Sequence, residues 1–539
     1  MLSPNLTAET RRPFSDSLES VSLRVERFAP YIAGAILVLT YLVATVKSFY
    51  KPLWYDEILT TLIARLPTLH DILSCTKQVP DGQPIFYYWI VRASIWLFGS
   101  DPWGLRVPST IGYLLFCLSL YWFVSRQTSR LYGLLALLFP NITGCWYYAT
   151  EGRPYGLVMA GTGMAALSWQ SVAMNRSRKL ALTGLSLSLL FAFSVHYFAT
   201  LLFIPFATAE LIRTVERRKL DIPVWVAFAL PFSILGFYLP IMHETHKNAG
   251  TGTPFTVRPG WFRSPAIFAE DFIGPALVVL ICVACLYAAY TYFVQLSEPK
   301  REYRSSPGYL LPYVALALPL VCILPFAGIA AGKFVTHQFF SRYVIGSMFG
   351  MIATATLIIW FAFRQSRTAA LIVSLIFAAF FCHTIVWDMR EAASTRSNPP
   401  EVSVPNRIPV QVRSDDRPIV FADVLQFLDF HYYGDPALRR KMYYVSSDEF
   451  ALRVFGFTIA ERTIEQSAPF FGTQVIDYHR WVREHPAFYV FGGPDWIVPQ
   501  LLDEGANLQL LKAGEDTLYR VTLADSGPGS RAAQTRSGN

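Results

Sequence analysis

Long apolar stretches separated by short polar loops dominate the sequence. About eleven of them reach the roughly 20 residues that a membrane-spanning helix needs. We predict spans near residues 31–50, 105–124, 131–149, 154–173, 180–197, 198–213, 223–243, 271–296, 309–331, 343–363 and 369–388. A shorter apolar and aromatic stretch, Ile85–Gly99, predicts an amphipathic helix that lies in the membrane interface.

Basic residues fall in the loops on one side of this arrangement. Short loops rich in lysine and arginine mark the cytoplasmic face of a membrane protein, because such loops are poorly translocated. The pattern places the polar arm of residues 1–30 in the cytoplasm. It places the loop of residues 51–104, and everything after residue 389, on the external side.

Residues 389–525 have a different pattern, in which short strand-like and helix-like segments alternate. The stretches "PIVFAD", "KMYYVSS" and "AFYVFGG" predict strands, and "LQLLKAGEDTLYRVTL" predicts a terminal hairpin. The stretches "VLQFLDFHYYG", "VIDYHRWVREHP" and "WIVPQLLDEGA" predict helices. We therefore predict a mostly α-helical polytopic membrane protein whose membrane domain comprises residues 31–388. A C-terminal soluble α/β domain follows at residues 389–525, and residues 526–539 form a disordered tail.

Composition supports the membrane class. Of the 539 residues 53% are hydrophobic and 16% are charged, whereas soluble domains carry roughly 25% charged residues. The net charge of +8 is explained by the basic loops, so we predict no nucleic-acid partner.

Candidate functional residues gather at the predicted external ends of the spans. Any one of them would be unremarkable, because charged side chains at span ends commonly extend to water. Acids and bases on one face, beside an amphipathic helix and an external domain, instead suggest a cleft for an anionic lipid and a nucleophile. They are Asp56, Glu57, Asp81, Glu151, Arg153, Tyr155, His196, Tyr197, Lys333, His337 and Arg342.

Six short stretches, in order along residues 50–350, resemble successive motifs of the GT-C glycosyltransferases. They are "WYDEILT", "DGQPIFYYWIV", "LRVPSTIGYLLF", "YYATEGRPYGLVMAGTGMAAL", "HYFATLL" and "SRYVIGSM". The resemblance is to the bacterial branch similar to protein O-mannosyltransferases and the lipid A aminoarabinose transferase. It implies a GT-C fold, location in the cell inner membrane, and transfer from a polyprenyl-phosphate sugar on the periplasmic side. The acceptor it implies is a lipid, a glycan or a protein.

The resemblance also implies roles for residues. Asp56, with Glu57 beside it, matches the catalytic acid of the first external loop, and Glu151 matches a second acid. Arg342 and Tyr343 match the "RY" pair that holds the donor phosphate, with Lys333 as a further candidate. Substrate-binding roles fall to Asp81, Arg153, Tyr155, His196, Tyr197 and His337. Asp81 precedes "QPIF", where many relatives have two prolines.

The expected chemistry needs one general base. Asp56 would take the proton of an acceptor hydroxyl, and Arg342 would stabilise the departing phosphate in an inverting displacement. A phosphate leaves without help from a general acid. Because hard cations prefer oxygen ligands, Asp56, Glu57 and Glu151 are a possible site for a divalent metal.

Two other classes of protein remain open at this point. A polytopic transporter, or a flippase of lipid-linked saccharides, is expected to show paired repeats and ionisable residues near the middle of the membrane. The sequence contains no clear internal repeat, and its notable charges lie at span ends. A non-catalytic membrane anchor for the C-terminal domain would not need the clustered acids.

Overall fold

The computed structural model describes residues 13–79, 82–99, 101–248, 250–252, 258–274, 310–493 and 496–523. The chain divides into two compact units. The first comprises Met1–Phe49, Ala93–Phe237 and Arg258–Ala392. The second comprises Tyr50–Arg92, Tyr238–Val257 and Ala393–Asn539.

Helices form almost all of the membrane part. The α-helices are Pro13–Tyr50, Ile85–Phe98, Asp101–Ser125, Arg130–Leu138, Tyr155–Ala173, Arg178–Val195, Phe203–Arg217, Ile222–Ala229, Ser233–Asn248, Arg263–Phe272, Leu310–Cys322, Leu324–Ala331, Ser347–Ala362 and Arg367–Ser397. Short 3-10 segments lie at Phe139–Ile142, Gly144–Thr150, Tyr197–Leu202, Leu230–Phe232 and Ser341–Val344, and a π-helical turn lies at Gly332–Thr336.

Seven helices in the described part of the chain are long and apolar enough to cross a membrane, which confirms a multi-pass membrane protein. They are Ser17–Tyr50, Asp101–Ser125, Arg178–Val195, Tyr197–Arg217, Ile222–Asn248, Pro312–Thr336 and Arg367–Ser397. The predicted span 271–296 lies mostly outside the described residues, so the count of about eleven stays a prediction. The helix predicted for Ile85–Gly99 is present at Ile85–Phe98.

The predicted span 131–149 differs from a single membrane helix. Its α-helix ends at Leu138, and 3-10 segments follow as far as Thr150. The physical reason is Pro140, since a proline disfavours helical geometry in the residue before it and cannot donate a backbone hydrogen bond.

The "LRVPST" stretch places a proline and a buried arginine inside the Asp101–Ser125 helix, and a hydrogen bond explains how each is accommodated. Pro108 has no N–H to donate to the carbonyl of Gly104 in the turn before it, and Ser94 Oγ donates to that carbonyl instead, at 2.5 Å. The buried Arg106 donates from Nη1 to the Ser48 carbonyl at 2.9 Å. That carbonyl lies in the last turn of the Pro13–Tyr50 helix, where a cation is favourable.

The first and last long helices of this unit are joined by an ion pair. Lys47 Nζ lies 2.5 Å from Asp388 Oδ1, and Trp146 Nε1 donates to the other carboxylate oxygen at 2.7 Å. Asp388 is buried, so these two donors compensate a charge that would otherwise be costly to bury.

A second, larger ion-pair network joins the helices at the Arg178 end of the Arg178–Val195 helix. Arg213 donates to both carboxylate oxygens of Glu210, at 2.8 and 2.6 Å. It also lies 2.5 Å from Asp221, which Arg178 contacts at the same distance. Trp169 Nε1 donates to Glu210 at 3.1 Å.

The C-terminal part of the second unit is built on a six-stranded sheet, which confirms the predicted α/β character. The strands are β1 Ile419–Phe421, β2 Met442–Ser446, β3 Val475–Asp477, β4 Ala487–Phe491, β5 Asn507–Lys512 and β6 Leu518–Thr522. Their order is β3-β2-β1-β4-β6-β5. The first four strands in this order pair in parallel, and β6 pairs antiparallel with both β4 and β5, as the predicted hairpin requires.

The helices of the second unit include several that sequence patterns did not predict, among them Asp448–Phe455 and Ile459–Phe471. The others are Tyr55–Ala64, Leu69–Gln78, Pro400–Ser403, Val410–Ser414, Val424–Tyr433, Pro436–Arg439, Tyr478–Glu484 and Ile497–Asp503, with a 3-10 turn at Pro405–Arg407. The stretch "VIDYHRWVREHP" is not helical throughout, because its first three residues form β3. The helix begins at Tyr478, where the Asp477 side chain accepts from the Arg480 N–H at 3.0 Å and so caps it.

Candidate active site

The segment Glu151–Tyr155 is held against the Asp101–Ser125 helix by two hydroxyl groups. Ser109 Oγ donates to the Arg153 carbonyl at 2.6 Å, and Thr110 Oγ1 donates to the Ala149 carbonyl at 2.7 Å. The "ST" of one predicted motif therefore fixes the backbone of another. This position places Glu151 and Arg153 in the buried interior of the unit.

Glycines allow this close approach. A Cβ atom on Gly156 would lie 2.3 Å from the Ser109 carbonyl oxygen, and one on Gly152 would lie 2.3 Å from Leu105 Cγ. Neither distance is compatible with a side chain. The two glycines of "EGRPYG" are thus explained by packing of the motif against its neighbouring helix.

Aromatic rings connect three separate segments of the chain at this place. The Tyr155 ring lies 5.2 Å from that of Tyr148 and 5.4 Å from that of His196. The His196 ring in turn lies 5.3 Å from that of Tyr343. We call Tyr148, Tyr155, His196 and Tyr343 the aromatic cluster. It brings together residues from the third, fourth, fifth and tenth predicted spans.

Charged groups surround the aromatic cluster. The guanidinium of Arg342 lies 5.5 Å from the centre of the Tyr155 ring and 4.6 Å from that of Phe340, as in cation–π contacts. Arg342 and Glu151 both act electrostatically on the phenol of Tyr148. Arg342 and Arg153 both act on the imidazole of His196. The structure therefore collects two arginines and one buried carboxylate around the cluster.

Three other predicted residues lie nearby in the chain. Tyr197 follows His196 at the start of a 3-10 helix. Lys333 and His337 are exposed, at the π-helical turn and directly after it, and Lys333 Nζ lies 5.6 Å from the centre of the Trp261 ring. The exposed position favours Arg342 over Lys333 as the cation at the aromatic cluster.

Asp56 and Glu57 belong to the second unit, in the first turn of the Tyr55–Ala64 helix. Glu57 is buried, and its Oε2 accepts from the Trp54 N–H at 3.4 Å, which caps the helix. Asp56 is only half-buried. Asp81 lies outside the described residues. The expected cluster of Asp56 and Glu57 with Glu151 stays a prediction.

In the part of the chain that the structure describes, no three His, Cys, Asp or Glu side chains converge in a way that fits a metal ion. The divalent metal considered for Asp56, Glu57 and Glu151 stays a prediction.

Several residues at this site were not predicted as functional from the sequence, namely Tyr148, Asp271, Phe272, Phe340 and Ser341. Ser341 Oγ donates to the Asp271 carboxylate, which joins the turn carrying Arg342 to the Arg263–Phe272 helix. Phe272, next to Asp271, stacks on Tyr148 with ring centres 5.6 Å apart. Ser341 is the first residue of the "SRYVIGSM" motif, so the sequence could have identified it as a site residue. No motif contains Asp271.

Comparison with known proteins found that the chain is similar to one protein family in sequence and to ArnT in structure. Residues 82–241 match the family described as dolichyl-phosphate-mannose-protein mannosyltransferase. The crystal structure of ArnT from Cupriavidus metallidurans bound to undecaprenyl phosphate is 12% identical with a TM-score of 0.53, covering 92% of this chain and 98% of that chain. ArnT in the apo state gives 11% identity and a TM-score of 0.48, over 91% of this chain and 97% of that chain. No curated protein matches the chain significantly.

The family match and the structural similarity cover different lengths of the chain. The family match covers the predicted motifs from "GQPIFYYWIV" to "HYFATLL". The similarity to ArnT extends over nearly the whole chain and shows the fold. Residues 82–241 are thus similar to one family of membrane glycosyltransferases, and the fold of the chain is similar to that of ArnT.

Proposed function

We propose that the chain transfers a sugar from a polyprenyl-phosphate donor to an acceptor on the periplasmic side of the cell inner membrane. The names of both similar proteins support this donor. One family is described by dolichyl-phosphate-mannose, and the ArnT structure contains undecaprenyl phosphate. Both carriers are polyprenyl phosphates, so the class of carrier is shared.

The observation that carries the proposal is the position of Arg342 and Arg153 around the aromatic cluster. A guanidinium binds phosphate oxygens through two parallel hydrogen bonds, which a lysine cannot do. Aromatic faces offer apolar surface for packing against a sugar ring or a prenyl chain. A lipid phosphate that carries a sugar needs both kinds of contact.

The proposed reaction is a direct displacement. Asp56 removes the proton of an acceptor hydroxyl, and the oxygen attacks the anomeric carbon of the donor sugar. The bond from that carbon to the phosphate oxygen breaks, its electrons remain on the polyprenyl phosphate, and the anomeric configuration inverts. Arg342 stabilises the negative charge that grows on the phosphate.

Asp56 is preferred over Glu57 as the base for a structural reason. Glu57 is buried and its carboxylate caps the helix, so its removal is expected to disturb folding. Glu151, buried beside Arg153, is proposed to position the arginines. The acceptor, whether lipid, cell-envelope glycan or protein, stays open.

The proposal is tested with radiolabelled polyprenyl-phosphate sugars and membranes that contain the protein. We expect label to appear in a new acceptor fraction, and Asp56→Asn to lower the turnover by about 10²-fold or more, since about 10²-fold is the lower end of the range for a general base. Transport of the labelled lipid across the bilayer without transfer would contradict the proposal and favour a flippase. Near-normal turnover in the Asp56 variant would remove Asp56 as the base.

A further inference from the structure

A buried hydrogen bond anchors the helix that carries Asp56 to the C-terminal domain. The Leu53 N–H donates to the Tyr433 hydroxyl at 2.7 Å, across 380 positions of the chain. Both residues are buried. Leu53 stands two residues before the Tyr55–Ala64 helix begins, and Tyr433 is the last residue of the Val424–Tyr433 helix.

Packing reinforces this anchor. The buried face of the Tyr55–Ala64 helix includes Ile58 and Ile63, which are fully buried. The helix contacts two helices of the C-terminal domain, Val424–Tyr433 and Ile459–Phe471. Since Asp56 lies in the first turn, between the Leu53 anchor and this packed face, the domain determines where its carboxylate lies within the second unit.

The far end of the Tyr55–Ala64 helix is fixed separately. Arg92 Nη1 donates to the Ala64 carbonyl at 3.1 Å, and its Nη2 donates to the Pro67 carbonyl at 2.9 Å. A cation at the last carbonyls of a helix is favourable. The helix therefore has one anchor in its own loop and one in the C-terminal domain.

Other loops of this unit fold onto the same domain. The Thr458 N–H donates to the Thr251 carbonyl at 2.9 Å, and Gln466 Nε2 donates to the Asn248 carbonyl at 3.1 Å. Thr245 Oγ1 then joins this loop to the Thr76 carbonyl at 2.9 Å. The domain thus contacts the described residues that follow the Ser233–Asn248 helix, and Thr245 in that helix contacts the end of the Leu69–Gln78 helix.

We infer that the C-terminal domain is a positioning element for the catalytic base, and that Tyr433 is the positioning residue through which it sets the place of Asp56. The inference rests on the proposed function. Its physical reason is that proton transfer requires the base within hydrogen-bond distance of the acceptor hydroxyl, so that a displacement of about 1 Å costs up to 10²-fold in rate. Tyr433 itself takes no part in the chemistry.

Tyr433→Phe in the full chain tests this, because it removes one hydroxyl and keeps the ring. We expect kcat to fall about tenfold, within the range that a small misplacement of a reacting group causes, with the donor KM and the melting temperature nearly unchanged. The donor KM should stay because Arg342 and the aromatic cluster belong to the first unit. Tyr443→Phe, the same change in β2 of the same domain, is the matched control and should retain wild-type kcat.

A double variant separates positioning from a general structural role. If Tyr433 acts only through Asp56, Tyr433→Phe should have no further effect in an Asp56→Asn background. An equal tenfold loss in both backgrounds would overturn the inference, as would wild-type kcat in the single variant. Absence of sugar transfer by the wild-type protein would instead contradict the proposed function, and full turnover of Asp56→Asn would contradict the choice of base.

Discussion

The two ends of the Arg178–Val195 helix contrast in how they hold charge. The 18 residues of this helix separate its ends by about 27 Å, at 1.5 Å per residue. At the first end, Arg178 and Arg213 form ion pairs with Asp221, and Arg213 also pairs with Glu210. At the other end, His196 lies in the aromatic cluster, with Arg153 and Arg342 close by.

The charged groups at the Arg178 end hold helices together, whereas those at the His196 end are suited to binding a ligand. In the network at the Arg178 end, carboxylates and guanidinium groups are matched within hydrogen-bond distance, which compensates their burial. At the His196 end, Arg342 lies over the faces of Tyr155 and Phe340. A guanidinium in such a contact directs its N–H bonds along its own plane, away from the ring, which suits a phosphate approaching from the side.

Arg213→Ala should have the largest effect on stability. It removes the guanidinium that joins Glu210 to Asp221 and leaves Glu210 with the Trp169 N–H and Asp221 with Arg178. Both buried carboxylates lose their shared cation, so we expect a loss of about 3–5 kcal/mol in the free energy of unfolding. The measurement is denaturation in detergent, with sugar transfer recorded per folded molecule. Arg213→Lys keeps the charge and should lose less. Unchanged stability in the alanine variant would show that the network is not what holds this end together.

Arg342→Ala should affect transfer instead of stability. We expect transfer to fall by about 10²-fold, the loss typical when a group that stabilises transition-state charge is removed. In Arg342→Lys the rate of transfer should fall about tenfold, because an ammonium group provides a point charge in place of the two parallel hydrogen bonds of the guanidinium. Part of each loss should appear in the maximal rate at saturating donor. Wild-type rates in both variants, over a range of donor concentrations, would exclude Arg342 as the phosphate ligand and make Lys333 the next candidate.

Gly156→Ala tests whether close backbone approach builds the His196 end. The new Cβ would lie 2.3 Å from the Ser109 carbonyl oxygen, so we expect a loss of about 1–3 kcal/mol in stability, typical of overpacking, together with lower transfer. Gly236→Ala is the matched control, since nothing lies within 4 Å of its added Cβ. Equal behaviour of the two variants would contradict the packing explanation of the motif.

The smallest expected effect is on the pH dependence of stability, through the carboxylate of Asp221. Burial raises the pKa of Asp221, but hydrogen bonds and charge from Arg213 and Arg178 outweigh it, so its pKa lies below the usual 3.8. The unfolded chain therefore binds this proton more readily than the folded chain does. The stabilising contribution is complete above pH 3.8 and is lost as the pH falls through the lower folded value. Asp221→Asn should be less stable than wild type at neutral pH, and the gap should narrow below about pH 4. A gap independent of pH would contradict this account.

Much of the architecture followed from local patterns. Apolar stretches predicted the long helices, because a chain segment in a bilayer must satisfy its own backbone hydrogen bonds. The strand-like stretches and the terminal hairpin of the α/β domain are present as predicted. Ordered motifs also indicated the resemblance to GT-C glycosyltransferases, and residues of "EGRPY", "HY" and "RY" lie around one aromatic cluster.

Other features were decided only by the tertiary structure. The ion-pair network draws Arg178, Arg213 and Asp221 from three places whose spacing in sequence carries no signal. The hydrogen bond from Leu53 to Tyr433 joins residues 380 positions apart in the chain. Periodicity and motifs report what a segment prefers by itself, whereas a hydrogen bond between distant segments exists only once packing has brought its donor and acceptor within about 3 Å.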